Sequence, residues 1–206
     1  GVVTSSAESV WIPRMTNSLK NADYQTLNRE IKIYIYIVLF AFCGLLTMAH
    51  ELVYILGGNE YMSGTNMIFP IVASSFLMFI YGIYVNIEYY YKRTRMIAVA
   101  TIVAAGLNVF LNYIFVPRFG VVAAAYTTLC SYFVSFMLHS INAKKIDKKA
   151  APYKILIIPV LIIMIAGIIT IITDNNVLFR WGIMLCLGII YCIIFYKKIL
   201  IPNTME

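Results

Sequence analysis

Apolar runs long enough to cross a bilayer follow one another along almost the whole chain. A spanning helix needs about 20 mostly apolar residues. Six stretches reach that length: Ile33–Leu56, Asn66–Tyr90, Met96–Val116, Val121–Ile141, Lys154–Thr173 and Leu178–Tyr196. None shows the two-residue alternation of a membrane strand, and hydrocarbon leaves helices or closed barrels as the only spanning structures. The pattern therefore predicts an all-α, polytopic membrane protein with six full spans. Residues 1–12 (GVVTSSAESVWI) read as the end of a preceding helix, so a fragment boundary is expected at Gly1. No basic, apolar and small-residue succession marks a secretory signal there.

Between the runs the pattern changes. Within residues 13–32, Asp23 is placed to cap a helix, and Tyr24, Leu27 and Ile31 fall on one helical face. This predicts a short amphipathic connector on the cytoplasmic surface. Residues 144–149 (KKIDKK) form a basic connector that divides the chain into 1–143 and 144–206. Helices before it carry small and polar residues. The two after it are bulky all round, which suits peripheral helices facing lipid.

The stretch LNYIFVPRFGVVAAAYTTLCSYF breaks at Pro117–Gly120 and resumes with small residues. Proline and glycine end a helix and permit reversal, so Pro117, Arg118 and Gly120 are expected to form a membrane-surface turn of a tight hairpin. Before it, Thr94, Ala98, Thr101, Ala105, Asn108 and Asn112 alternate spacings of four and three, which places them on one face. After it, Ala124, Thr128, Ser131, Ser135 and His139 repeat the pattern. Such stripes serve either close helix packing through interhelical hydrogen bonds or the wall of a water-filled cavity. Asn108, Asn112, Thr101, Thr128, Ser131 and Ser135 are the candidate cavity residues, with Asn108 first because it lies nearest mid-span.

Composition agrees. The 206 residues are 62% hydrophobic and 12% charged, against roughly 45–50% and about 25% in soluble domains. The net charge is +7, but the basic residues lie in the gaps between apolar runs, so phospholipid headgroups rather than nucleic acid are the expected partners. With the segment before Ile33 on the cytoplasmic side and strict alternation thereafter, only Arg118 and Arg180 of the 16 Lys and Arg fall outside cytoplasmic segments. That asymmetry is what the positive-inside rule demands. Cys43, Cys130, Cys186 and Cys192 lie inside apolar runs without a CxxC pair, and are expected to be buried free thiols.

Charged candidates are few. His50 and Glu51 are expected near the outer end of the first span, as an interface pair or a proton or cation site. Glu88 has Lys92 four residues on and is expected to form an interfacial ion pair. No protease, nucleotide-loop or hydrolase motif occurs, so no catalytic residue, metal or cofactor is expected beyond a possible coupling cation.

Residues 107–132 (LNVFLNYIFVPRFGVVAAAYTTLCSY) resemble a signature of bacterial polysaccharide flippases: an Asn-rich helix, a Pro-basic-x-Gly turn, then small residues and a Ser/Thr-aromatic stretch. WIPRMTNSLKNADYQTLNREIK is similar to the family's Pro-Arg segment and connector. ELVYILGGNEYMSG and GIYVNIEYYYKRTRMIA resemble a helix end with its turn and a basic loop. The family belongs to the multidrug/oligosaccharidyl-lipid/polysaccharide exporter superfamily, and the family's members typically have two pseudo-symmetric six-helix lobes and two extra helices. The resemblance implies that this chain is the C-terminal portion of such a transporter, lacking the N-terminal lobe. It implies flipping of an undecaprenyl-pyrophosphate-linked oligosaccharide across the bacterial cytoplasmic membrane by alternating access. A multidrug cation antiporter of the same superfamily, a lipid II flippase, a membrane-embedded enzyme acting on lipid-linked sugars and a structural subunit remain alternatives.

Overall fold

The computed structural model describes residues 2–150 and 153–172, with helical positions at 177–178, 181–182, 185–186 and 188–189. Among the described residues the chain is helical without strands. Its elements are α1 (Val2–Lys20), α2 (Tyr24–Gly57), 310 turns over Asn59–Met67, α3 (Ile68–Tyr90), α4 (Thr94–Phe119), α5 (Val121–Ile146) and α6 (Tyr153–Ile172). Five helical segments within this order are long and apolar enough to cross a membrane, and the chain is a multi-pass helical membrane protein. The sixth expected span, Leu178–Tyr196, lies mostly outside the described residues.

α3 is the central rod. Phe76, Ile80, Ile83, Tyr84 and Ile87 are buried around it, so it lacks the single exposed face of a peripheral helix. α5 lies along it in the same direction: Tyr81 meets Tyr132, Tyr84 meets Phe136 and Glu88 meets His139, so the pairs advance together. α4 runs antiparallel to α5 beside it, and α2 and α6 cover another side. α1 lays Trp11, Met15 and Leu19 inward at four-residue spacing, with the Trp11 ring stacked 5.2 Å from Tyr34 of α2.

Three local expectations change. The connector over 13–32 is no separate amphipathic helix. α1 continues through Pro13 to Lys20, and α2 starts at Tyr24 and runs unbroken to Gly57. The expected cap and face are present: Asp23 Oδ1 accepts from the Thr26 N–H at 3.0 Å, while Leu27 and Ile31 are buried. Nothing in the sequence after Ile31 breaks a helix, so the face that begins here merges with the span.

The turn at the α4–α5 junction is also tighter than expected. Pro117 and Arg118 lie in the last turn of α4, and Gly120 alone reverses the chain. Its φ of 69° is left-handed, and its N–H reaches back to the Val116 carbonyl at 2.9 Å. Proline so close to a helix end removes only one backbone bond, whereas the left-handed position favours glycine.

The cysteines Cys43, Cys130 and Cys186 are free thiols, but Cys130 and Cys186 face outward instead of being buried. α6 buries one face and exposes the other. Leu156, Ile163 and Ala166 face inward, while Ile157, Ile158, Leu161, Ile165 and Ile168 are exposed. Its close approach is made by Gly167, whose Cα lies against the Phe69 ring.

Candidate functional site

The polar groups of the bundle gather in two places on α5. Both follow from one row, Ala123, Thr127, Ser131, Ser135, His139 and Ala143, spaced by four and buried throughout. The facing row on α4 is Ala100, Ala104, Asn108 and Asn112, also spaced by four. Rows of i±4 spacing wind slowly around a helix, and helices that interlock them cross at an angle. The seam therefore departs from the straight stripe expected on α4. Ala98, Thr101 and Ala105 are exposed, and only Asn108 and Asn112 turn toward α5.

At this seam the side chains form a continuous network. Asn108 Nδ2 donates to Thr128 Oγ1 at 3.4 Å, Asn112 Nδ2 donates to Asn108 Oδ1 at 3.0 Å, and Thr127 Oγ1 approaches Asn112 Oδ1 at 2.5 Å. The hydroxyls of Thr128 and Ser131 donate back to the Ala124 and Thr127 carbonyls. The arrangement satisfies polar groups inside an apolar medium and ties α4 to α5. A groove of about 550 Å³ opens beside it, its lining including Leu111, Phe115, Phe119, Val122, Tyr126 and Thr127. None of the six residues expected to line a cavity contributes to that groove.

The second place is the Glu88–His139 contact. Glu88 Oε2 lies 2.7 Å from His139 Nδ1, and both residues are essentially inaccessible. The His139 ring stacks on Tyr81 at 5.4 Å, and Tyr81 stacks on Tyr132 at 6.0 Å. The expected interfacial pair of Glu88 with Lys92 is thus replaced. An i,i+4 pair requires a continuous helix, but α3 ends at Tyr90. The Glu88 carbonyl accepts from the Arg93 N–H at 2.8 Å, closing the helix, and Lys92 takes a left-handed φ of 56° in the exposed turn. Sequence periodicity marked His139 as part of the stripe on its helix, but carried no sign of a partner 51 residues away.

His50 and Glu51 lie seven and six residues before the end of α2. Glu51 Oε1 accepts from Trp181 Nε1 at 3.3 Å. His50 borders a cavity of about 270 Å³ with Thr65, Asn66, Tyr126 and Thr170. Neither residue meets Glu88, so the charged candidates belong to opposite ends of the bundle. Among the described residues no group of three or more His, Cys, Asp or Glu is placed to hold a metal ion.

One functional-looking cluster escaped sequence reasoning. Asp147 Oδ2 accepts from Tyr24 OH at 3.0 Å and from Tyr91 OH at 2.7 Å. Its Oδ1 accepts from the backbone N–H groups of Lys149 and Ala150. The carboxylate thus joins the basic ends of α2, α3 and α5. Partial burial alone would raise its pKa, but the hydrogen bonds from Tyr91, Lys149, Ala150 and Tyr24 together outweigh it and hold the carboxyl below its ordinary value. A lowered carboxyl pKa stabilises the folded state above the unfolded value and loses that contribution as pH falls through the folded value. Asp147→Ala should destabilise this end by about 1–3 kcal/mol at neutral pH. Hydrogen exchange at the Lys149 and Ala150 amides should show the difference between variant and parent shrinking in acid.

Comparison with known proteins adds one relative. Over 126 residues the chain is 27% identical to a protein of the archaeon Haloferax volcanii named "probable low-salt glycan biosynthesis flippase". The match takes in 60% of this chain and 27% of that protein. The chain therefore spans only a minor part of the relative's length. No family model matches, and no solved structure matches. The chain is a multi-pass helical membrane protein with distant, partial similarity to a protein named as a probable glycan biosynthesis flippase.

Proposed function

We propose that this chain is the C-terminal portion of a transporter that flips a lipid-linked oligosaccharide, built on an undecaprenyl-pyrophosphate carrier, across the cell membrane by alternating access. The observation that carries the reading is the 126-residue similarity to a protein named as a probable glycan biosynthesis flippase. The bundle is compatible with it: its spans pack through small and hydroxyl-bearing residues, and α4 leaves most of its surface uncovered. The archaeal relative widens the expected setting beyond the bacterial inner membrane.

A pyrophosphate calls for Lys or Arg in the translocation path, and the apolar cores of these spans contain none. The cations that hold it come from the N-terminal lobe of the complete protein, while Asn108 and its neighbours contribute polar contacts at the lobe interface. Reconstituted as the complete protein, the transporter should move lipid-linked oligosaccharide between leaflets. Asn108→Leu, which breaks the Asn112–Asn108–Thr128 relay, should slow that movement. Interhelical bonds of this kind contribute about 0.6 kcal/mol each, so folding should survive. Unaltered flipping by the variant would remove Asn108 from the path, and absence of flipping by the parent would refute the substrate class.

A further inference from the structure

The geometry points to Glu88 and His139 as a proton-binding site of the transporter, in which a proton shared between α3 and α5 is taken up and released during the transport cycle. The transport role rests on the flippase reading above; the proton site itself does not.

Glu88 Oε2 and His139 Nδ1 lie 2.7 Å apart. A carboxylate oxygen and an imidazole nitrogen this close require one proton between them, either as N–H donating to carboxylate or as O–H donating to nitrogen. Without that proton two lone pairs face each other and the contact opens. The second oxygen, Glu88 Oε1, is buried without a hydrogen-bond partner. It is therefore the acceptor for a second proton, which raises the net charge of the pair by one. Only O–H and N–H bonds form or break, and the exchanged proton passes to water at the basic end, where Tyr89 is already exposed one residue on.

The surroundings select a proton over a metal cation. Hard cations are held by several oxygens, whereas this site offers one carboxylate and an imidazole among aromatic rings. The titratable groups facing it are Tyr81 and Tyr84 from α3 and Tyr132 from α5. From α1, Glu8 lies beside Gly82, and from α2, Tyr34 packs against Phe79. Lys92, Arg93 and Arg95 are exposed beyond the helix end, as are Lys144 and Lys145 beyond His139. Among the described residues His139 lies within ion-pair distance of Glu88.

Infrared difference spectra of the complete protein, recorded while pH is stepped between about 5 and 8, test the site without any substrate. A protonated-carboxyl band should grow on acidification, vanish in Glu88→Gln and shift its midpoint in His139→Gln. The parent failing to show the band, or the band persisting in Glu88→Gln, would overturn the proposal even if one variant folds poorly. In vesicles carrying a pH gradient, flipping of lipid-linked oligosaccharide should be gradient-stimulated in the parent and lose that stimulation in Glu88→Gln. Retained stimulation in a folded variant would overturn the coupling. A parent that titrates in the infrared but flips nothing retains the proton site and loses the substrate reading.

Discussion

His139→Leu should destabilise the complete protein by about 3–5 kcal/mol, because it strands Glu88 in the bundle without its partner. The loss should be far smaller in the double variant His139→Leu/Glu88→Leu. Removing both polar groups leaves no unpaired charge, and buried pairs replaced by apolar side chains are often neutral in stability. The sign of this recovery separates two accounts of the contact. If the contact carries no coupling between the two side chains, the two losses should add. If it is a polar liability held for exchange of a proton, the second substitution should repair much of the first. Thermal unfolding in detergent, measured for both single variants and the double, gives the interaction energy directly.

The second large effect is steric. Gly167→Leu should displace α6 at a cost of about 1–3 kcal/mol, since the Phe69 ring already occupies the space of a side chain. Phe69→Ala should relieve much of it, so the double variant should unfold above Gly167→Leu alone. In lipid, apolar helices gain little from leaving their surroundings, and association depends on close packing. A small residue on an otherwise branched and bulky helix is therefore where α6 is attached.

Span lengths were legible because bilayer thickness imposes a minimum run on every helix, and the five described spans follow it. The small and polar row of α5 was legible because helical spacing is local. Thr128 lies beside that row instead of in it, and Thr127 takes the buried place, because neighbours at spacings of three and four differ by less than a third of a turn. A carboxylate four residues before a lysine invites a local pair, whereas at Glu88 the end of α3 is set by the turn at Lys92 and the partner comes from α5. Asp147 gave no signal at all. Its role depends on Tyr24 and Tyr91, from helices whose ends meet only after folding. Gly167 was equally silent, since a glycine's use depends on what lies opposite.

The single-residue reversal at Gly120 bears on how the orientation of this protein can be read out. With α4 ending at Phe119 and α5 starting at Val121, this corner offers no slack for a protease or an inserted epitope. The nine residues Asn59–Met67 on the same side of the bundle do. A tag placed there should report sidedness without prising two spans apart, while one spliced at Gly120 would measure the damage it caused.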